Sequence, residues 1–396
     1  MTATEDRAVP PTISYNPLLK GEPLSHILAV DVLREQHESF RSDLAQGFWV
    51  ITRADAIRHA LQDPGTFSSS AIVPVDPDPQ YMLVPEMLDP PVHTTWRQLL
   101  ASWFSPNAIA KMEDGVRARC IELIEPLVSR GRCELNQDFA YRYPTSIFLE
   151  LMGLPLEDLP QFQHWNDEIH HVPLDVDPTR ARSLAAQNAV KDYFVDLMEE
   201  RRSSPRDDLT TAALGWRIDG REIPVEDLLS MYLLMFQAGM DTVASQLAYM
   251  WWHLARHDAD RRRIVGDPDV IPAALEEFLR HYAFVAPSRK VMRDVEFDGC
   301  PMRKGDMVFV PLCGATRDPL AFPDADEFVI DRPANNHIAF GAGPHRCIGS
   351  HLARRELRIA LEEWHKRIPD YHLVPGQQID EHGGMFGLDS LELSWF

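Results

Sequence analysis

With 45% hydrophobic and 25% charged side chains in 396 residues, the chain holds enough apolar material for a large core under a well-solvated surface. Its formal net charge of -21 argues against a nucleic-acid binder held by overall basic charge, because such a surface repels phosphate backbones. Five cysteines, odd in number, widely spread and without a Cys-x-x-Cys pair, indicate neither a disulfide framework nor a zinc site.

In chain order, the N-terminal stretch is proline-rich and lacks the charged-then-apolar order of a secretory signal, so a cytoplasmic location is expected. A strand is expected over 48–52 and a helix over 54–61. The proline- and aspartate-rich run 73–91 reads as an ordered loop. Helical periodicity follows over 116–128, 181–202, 225–256 and 272–281. Short strands over 295–297 and 307–311 flank the turn signals Asp298-Gly299 and Lys304-Gly305, a helix covers 351–367, and a last strand spans 391–396. The apolar run within 225–256 is interrupted by Gln237, Asp241, Thr242, Ser245 and Gln246, so it reads as a buried core helix, with no membrane anchor expected. No repeat or linker divides the chain, and one domain over 1–396, mainly α with a small β region, is the expectation.

Chemistry concentrates in a few places. Cys347 sits in a glycine-rich loop at the start of the helix 351–367, where unpaired N–H groups and the helix dipole favour a thiolate. Gly341, Gly343 and Gly349 let the backbone pass close to a flat partner and turn N–H groups toward the sulfur. In the core helix, Asp241 and Thr242 stand where apolar residues belong, and their burial needs a reason. Thr242 bonding back to the carbonyl of Ala238, with Asp241 paired to a base, is one, and Gly239 could accommodate a local kink. Glu277 and Arg280 share a helix face, as do His93 and Arg97. His253 and His257 share that spacing but lack a third ligand, and read as surface residues at a helix end.

Phe340, Gly343, His345, Cys347 and Gly349 spell Phe-x-x-Gly-x-His-x-Cys-x-Gly, which resembles the cysteine-loop signature of the cytochrome P-450 family of haem-thiolate monooxygenases. Further phrases, including Gly-Met-Asp-Thr-Val at 239–243 and His-Leu-Ala-Arg-Arg-Glu at 351–356, bring the pattern nearest to the soluble bacterial camphor-hydroxylase type. The resemblance implies the cytochrome P-450 fold, a triangular prism with haem b between an oxygen-activating helix and the cysteine-loop helix. It implies Cys347 as the axial thiolate on iron and Phe340 packed on the proximal haem face. His93, Arg97, Arg289 and His345 are implied at the haem propionates. Asp241 and Thr242 are implied as the acid-alcohol pair that steadies dioxygen and links it to protons, and Glu277, Arg280 and Arg332 as a buried structural cluster.

The same resemblance places Ile72, Tyr81, Glu86, Leu234, Ala238, Val285, Met385 and Phe386 at the substrate pocket. An apolar cavity with one phenol donor suits a compact terpenoid carrying one oxygen. Pro287 and Glu86 depart from the camphor-hydroxylase pattern and speak against camphor itself. The implied activity is insertion of one oxygen atom from dioxygen into an unactivated C–H bond, in a monomer fed by NAD(P)H through a reductase and an acidic [2Fe-2S] ferredoxin. The ferredoxin is expected to dock on the cations Arg346, Arg354, Arg355, Arg358, Lys366 and Arg367, which outnumber Glu356, Glu362 and Glu363 between 345 and 367. Alternatives are a peroxide-driven peroxygenase of the same fold, against which the intact Asp241-Thr242 pair weighs, and a non-catalytic haem sensor or electron carrier.

Overall fold

The structure, a computed structural model, describes residues 10–172, 176–177 and 179–396. Among the described residues thirteen α-helices carry most of the chain and the strands are short, so the chain is mainly α with a small β portion. No helix among them is long and apolar enough to cross a membrane.

The central element is the helix Val225–Arg256, which spans 32 residues, about 48 Å at 1.5 Å per residue. Glu226 and Asp227 occupy its first turn, where the positive end of the helix dipole favours acids. One side packs Tyr232 and Phe236 against Phe194 and Phe162, and the other stacks Tyr249 on Tyr282 and sets Trp251 against Trp364. Burial between two packed clusters explains why the sequence is apolar nearly all round. The helix runs continuously through Gly239, and the polar groups at 241 and 242 find partners in His171 and in the carbonyl of Ala238.

The helix Ser350–Arg367 lies against the helix Pro106–Val128, whose observed start is ten residues earlier than periodicity suggests because Ser105 caps it by accepting from Ala108 N. A six-stranded sheet runs in the order Thr12–Ile13, Ser39–Ser42, Phe48–Ile51, Met307–Phe309, Ser288–Val291, Phe67–Ser68. Val295–Phe297 pairs with Cys300–Met302 across Asp298 and Gly299, both at positive φ, as a tight hairpin requires. The strand expected over 307–311 ends at Phe309, since Pro311 caps the short helix Leu312–Thr316. His253 corrects another expectation. It is 2% exposed, bonded to Tyr282 Oη at 2.6 Å and Asp260 at 3.0 Å, because the core helix is still covered one turn before its end. His257 is exposed.

Two buried carboxylates fix the segments that flank the site. Glu277 accepts from Arg280 at 2.7 and 2.8 Å, Arg332 at 3.0 and 3.1 Å, Asn335 at 3.0 Å and the amide of Val329 at 2.9 Å. The helix Ile271–His281 is thereby locked to the chain just upstream of the cysteine loop. Glu381 accepts from the amides of Leu24 and His26 and from Tyr249 Oη, which ties the C-terminal hairpin to the core helix and sets the position of the next residue, His382.

Candidate active site

The cysteine loop is a short 3-10 turn, Gly343–His345, closed by a hydrogen bond from the Cys347 amide to Phe340 O at 2.8 Å. Gly343 sits at φ 70°, and a Cβ there would come 2.3 Å from Leu61 O, so only glycine fits. Cys347 precedes the helix N-cap Gly349, and the Gly349 amide points at its sulfur. Of the five cysteines, Cys120, Cys133, Cys300 and Cys313 are buried, while Cys347 is accessible. Protein nonetheless surrounds it closely enough that desolvation pushes its thiol up, opposed by the Gly349 amide and by Arg97 and Arg346. One face of the Phe340 ring is covered by the Arg354 guanidinium at 4.5 Å, itself held by Glu276 at 2.6 and 2.8 Å.

Four basic side chains converge beside this loop. The rings of His93 and His345 lie 4.0 Å apart, and Arg97 Nη2 donates to Arg346 O at 2.6 Å. Arg289 is buried. Burial, with His345 and Arg97 nearby, holds His93 down to about 4. His93 Nδ1 and both ring nitrogens of His345 are buried without hydrogen-bond partners among the described residues. Glu86 lies here too, at 3.8 Å from His345 Nδ1 and facing Arg289 and His93 electrostatically. It therefore sits beside the basic group, to which opposite charge draws it.

Midway along the core helix, Leu234, Ala238 and Thr242 are spaced by four on one face and are accessible, Ala238 most of all, while most of the helix is buried. The core helix thus keeps an open face at its middle. Thr242 Oγ1 donates to Ala238 O at 2.9 Å, and the buried Asp241 accepts from His171 Nε2 at 2.9 Å, so both polar groups have partners. Although burial raises it, the carboxyl of Asp241 is held well below the usual range by His171. Against its own desolvation, His171 is raised to about 10 by Asp241 and Asp167. His171 and His382 escaped the sequence reading because residues 171, 241 and 382 share no local spacing; the pair His170-His171 closing the helix Leu159–His170 was the one available signal.

Ile72, Tyr81 and Leu234 are half-buried against one apolar cluster, and Val285 and Met385 against the other. Phe386 departs from expectation: it is fully buried and stacks on His26 at 4.6 Å, because the tight hairpin at 381–388 tucks it inward. The expected cationic patch is also largely neutralised. Arg354 pairs with Glu276, Arg355 and Arg358 with Glu113, and Lys366 and Arg367 with Glu363, Arg367 also reaching Glu125. Counting charges along one helix missed Glu113, Glu125 and Glu276, which fold provides from others. Arg346 has no carboxylate within 4.0 Å among the described residues.

Comparison with known proteins agrees with this architecture. A family model described as Cytochrome P450 matches residues 269–364. A probable cytochrome P450 127A1 of Sinorhizobium fredii is 35% identical over 88% of this chain and 84% of its own. Mycinamicin IV hydroxylase/epoxidase of Micromonospora griseorubida is 29% identical over 99% of both chains. The crystal structure of CYP101J2 superposes with a TM-score of 0.89 at 30% identity over the whole of both chains. This chain belongs to the cytochrome P450 family of monooxygenases and has its fold. The family implies a haem, and the residues fit one: an accessible sulfur backed by an amide, beside buried imidazole nitrogens that make no hydrogen bond among the described residues and a buried arginine suited to carboxylates.

Proposed function

We propose that the chain hydroxylates an unactivated C–H bond of a small hydrophobic, terpenoid-like molecule, using dioxygen and two electrons from an acidic [2Fe-2S] ferredoxin. The observation that carries this reading is Cys347, the accessible cysteine of the chain, with the Gly349 amide on its sulfur. Bound haem b supplies the redox and dioxygen chemistry, with Cys347 as its thiolate ligand. The protein's part is positional and electrostatic. Arg97, Arg289 and His93, the last two buried, would hold the haem propionates together with His345, and Phe340, covered by Arg354, would pack against the haem beside Cys347. Leu234, Ala238, Val285, Met385 and Ile72 bind the substrate's apolar body and exclude water, and Tyr81 offers a phenol donor to its one oxygen. Thr242 Oγ1, whose proton rests on Ala238 O, keeps lone pairs to hold a water on the cavity side, and Asp241 takes protons from His171 and passes them to that water.

The test is optical. Reduced protein under carbon monoxide is expected to show the red-shifted absorption of sulfur-ligated haem, and Cys347→Ser to lose it. A normal spectrum from the serine variant would remove Cys347 from the role. Screening oxygenated terpenoids for a spin-state change on binding then identifies the substrate class, and turnover that depends on dioxygen and ferredoxin checks the electron source.

A further inference from the structure

A second group of chemistry-bearing side chains lies at the outer end of Asp241. We propose that His171, Asp241 and His382 form a binding site for a divalent transition ion of the zinc type, distinct from the site around Cys347.

The three residues come from the end of the helix Leu159–His170, the core helix and the C-terminal hairpin. One ligand atom of each lies within 4.8 Å of the other two. Zinc with nitrogen and oxygen donors at about 2.0–2.1 Å needs donors about 3.3 Å apart, so side-chain rotation of an ångström or so closes the set. Both imidazoles are oriented as metal ligands usually are, each bound to a carboxylate through the nitrogen remote from the centre. His171 Nδ1 bonds Asp167 at 3.0 Å, and His382 Nδ1 bonds Asp389 at 2.8 Å, leaving Nε2 of each as the available donor. Asp389 is in turn held by Lys20 at 2.6 Å. Glu381, anchored by backbone amides, fixes the hairpin that carries His382.

Donor chemistry selects the ion. Two imidazoles and one carboxylate suit zinc and its neighbours, whereas calcium and magnesium prefer oxygen shells. Charge agrees, since Asp167, Asp241 and Asp389 gather around the two histidines. In the metal-free protein a proton lies between His171 Nε2 and Asp241 Oδ1, and the ion takes its place, releasing that proton to solvent. Both imidazoles keep some accessible surface for an incoming ion, the His171 and His382 side chains being 19% and 16% exposed. The fourth position falls to water. Alongside, His170 Nε2 is buried with no hydrogen-bond partner among the described residues, and its ring feels the charges of Asp241, His171 and His382. A bound ion holds Asp241 fast, so it also stops the proton transfer assigned to that residue above. This consequence rests on the proposed function, but the binding does not.

The experiment uses chelator-treated holoprotein dialysed against zinc chloride, with bound zinc counted by mass spectrometry. One ion per chain at micromolar affinity is expected, weakened at least tenfold in His171→Asn and His382→Asn and unchanged in His164→Asn, which alters an exposed histidine on the same helix. The carbon monoxide spectrum of each variant reports its fold; should either ligand variant misfold, Asp389→Asn, which removes only an outer carboxylate, is expected to weaken zinc about 10- to 100-fold. No stoichiometric zinc, or zinc whose affinity ignores these residues, overturns the proposal. Zinc that binds as expected without slowing ferredoxin-driven turnover leaves the site standing and removes Asp241 from proton delivery.

Discussion

His171 Nε2 lies 2.9 Å from Oδ1 of Asp241, and its other nitrogen lies 3.0 Å from Asp167, so one imidazolium bridges two helices through both of its protons. Folding raises the histidine from 6.5 to about 10, so its contribution to stability is complete below 6.5 and lost as pH climbs through about 10. Asp241 is shifted downward, so its contribution is present above 3.8 and lost in acid. His171→Gln is therefore expected to cost about 2 kcal/mol near neutral pH, typical of a hydrogen bond to a charged group. In urea titrations the gap from the unmodified protein should shrink above pH 10 and again in acid. A gap that persists unchanged above pH 10 would show that the histidine is not held as a cation.

How much of this was legible beforehand depended on the range of the interaction. The core helix was readable to the residue, because its apolar content and its exit at Arg256-His257 are local signals. Arg280 and Glu277, three apart, were likewise visible, and a family pattern named Arg332 as their partner. The glycines around Cys347 announced a tight loop, and two of them do adopt positive φ. What failed was long-range. Glu113 is 245 residues from Arg358 and His171 is 70 from Asp241, and no periodicity connects such pairs. Phe386 departs for a related reason: a sequence pattern ranks a position near a pocket, but whether its side chain turns inward onto His26 is decided by packing.

Charge on the proximal side yields the next prediction. Glu113 occupies the space between Arg355 and Arg358 and screens both from a docking partner. Glu113→Gln is expected to speed reduction by an acidic ferredoxin at low salt, by a few-fold, since complementary surface charge acts mainly on the encounter rate. Arg346→Glu, which changes a cation without a carboxylate partner, should slow it similarly, and both effects should fade as salt rises. Stopped-flow reduction over a salt series reads both. Equal rates in all three proteins would show that the partner docks elsewhere.

Glu277 and Arg280 are both fully buried, and every oxygen of the carboxylate is occupied. Replacing Glu277 with Ala strands two guanidinium groups in the interior, which typically costs about 3–5 kcal/mol when a buried pair is broken. The expected outcome is a protein that fails to accumulate, or one whose thermal unfolding falls sharply while any folded fraction keeps its haem spectrum. A variant as stable as the parent would mean that the cluster does not brace the cysteine loop.

Glu356, on the cysteine-loop helix, is buried, and its Oε2 has no hydrogen-bond partner among the described residues. Desolvation pushes its carboxyl well above 4.5, so the folded protein keeps it protonated where the unfolded chain ionises. Stability from this group is therefore greatest below 4.5 and declines as pH rises, until the folded carboxyl itself gives up its proton. Glu356→Gln has nearly the same shape and no proton to lose. At neutral pH it should be more stable than the parent by on the order of 1 kcal/mol, the scale of one buried polar group's mismatch. Denaturation at neutral pH and in mild acid should show that advantage narrowing as pH approaches 4.5. If the glutamine variant is the weaker of the two at neutral pH, the carboxylate is ionised in the fold and holds a cation that stabilises it.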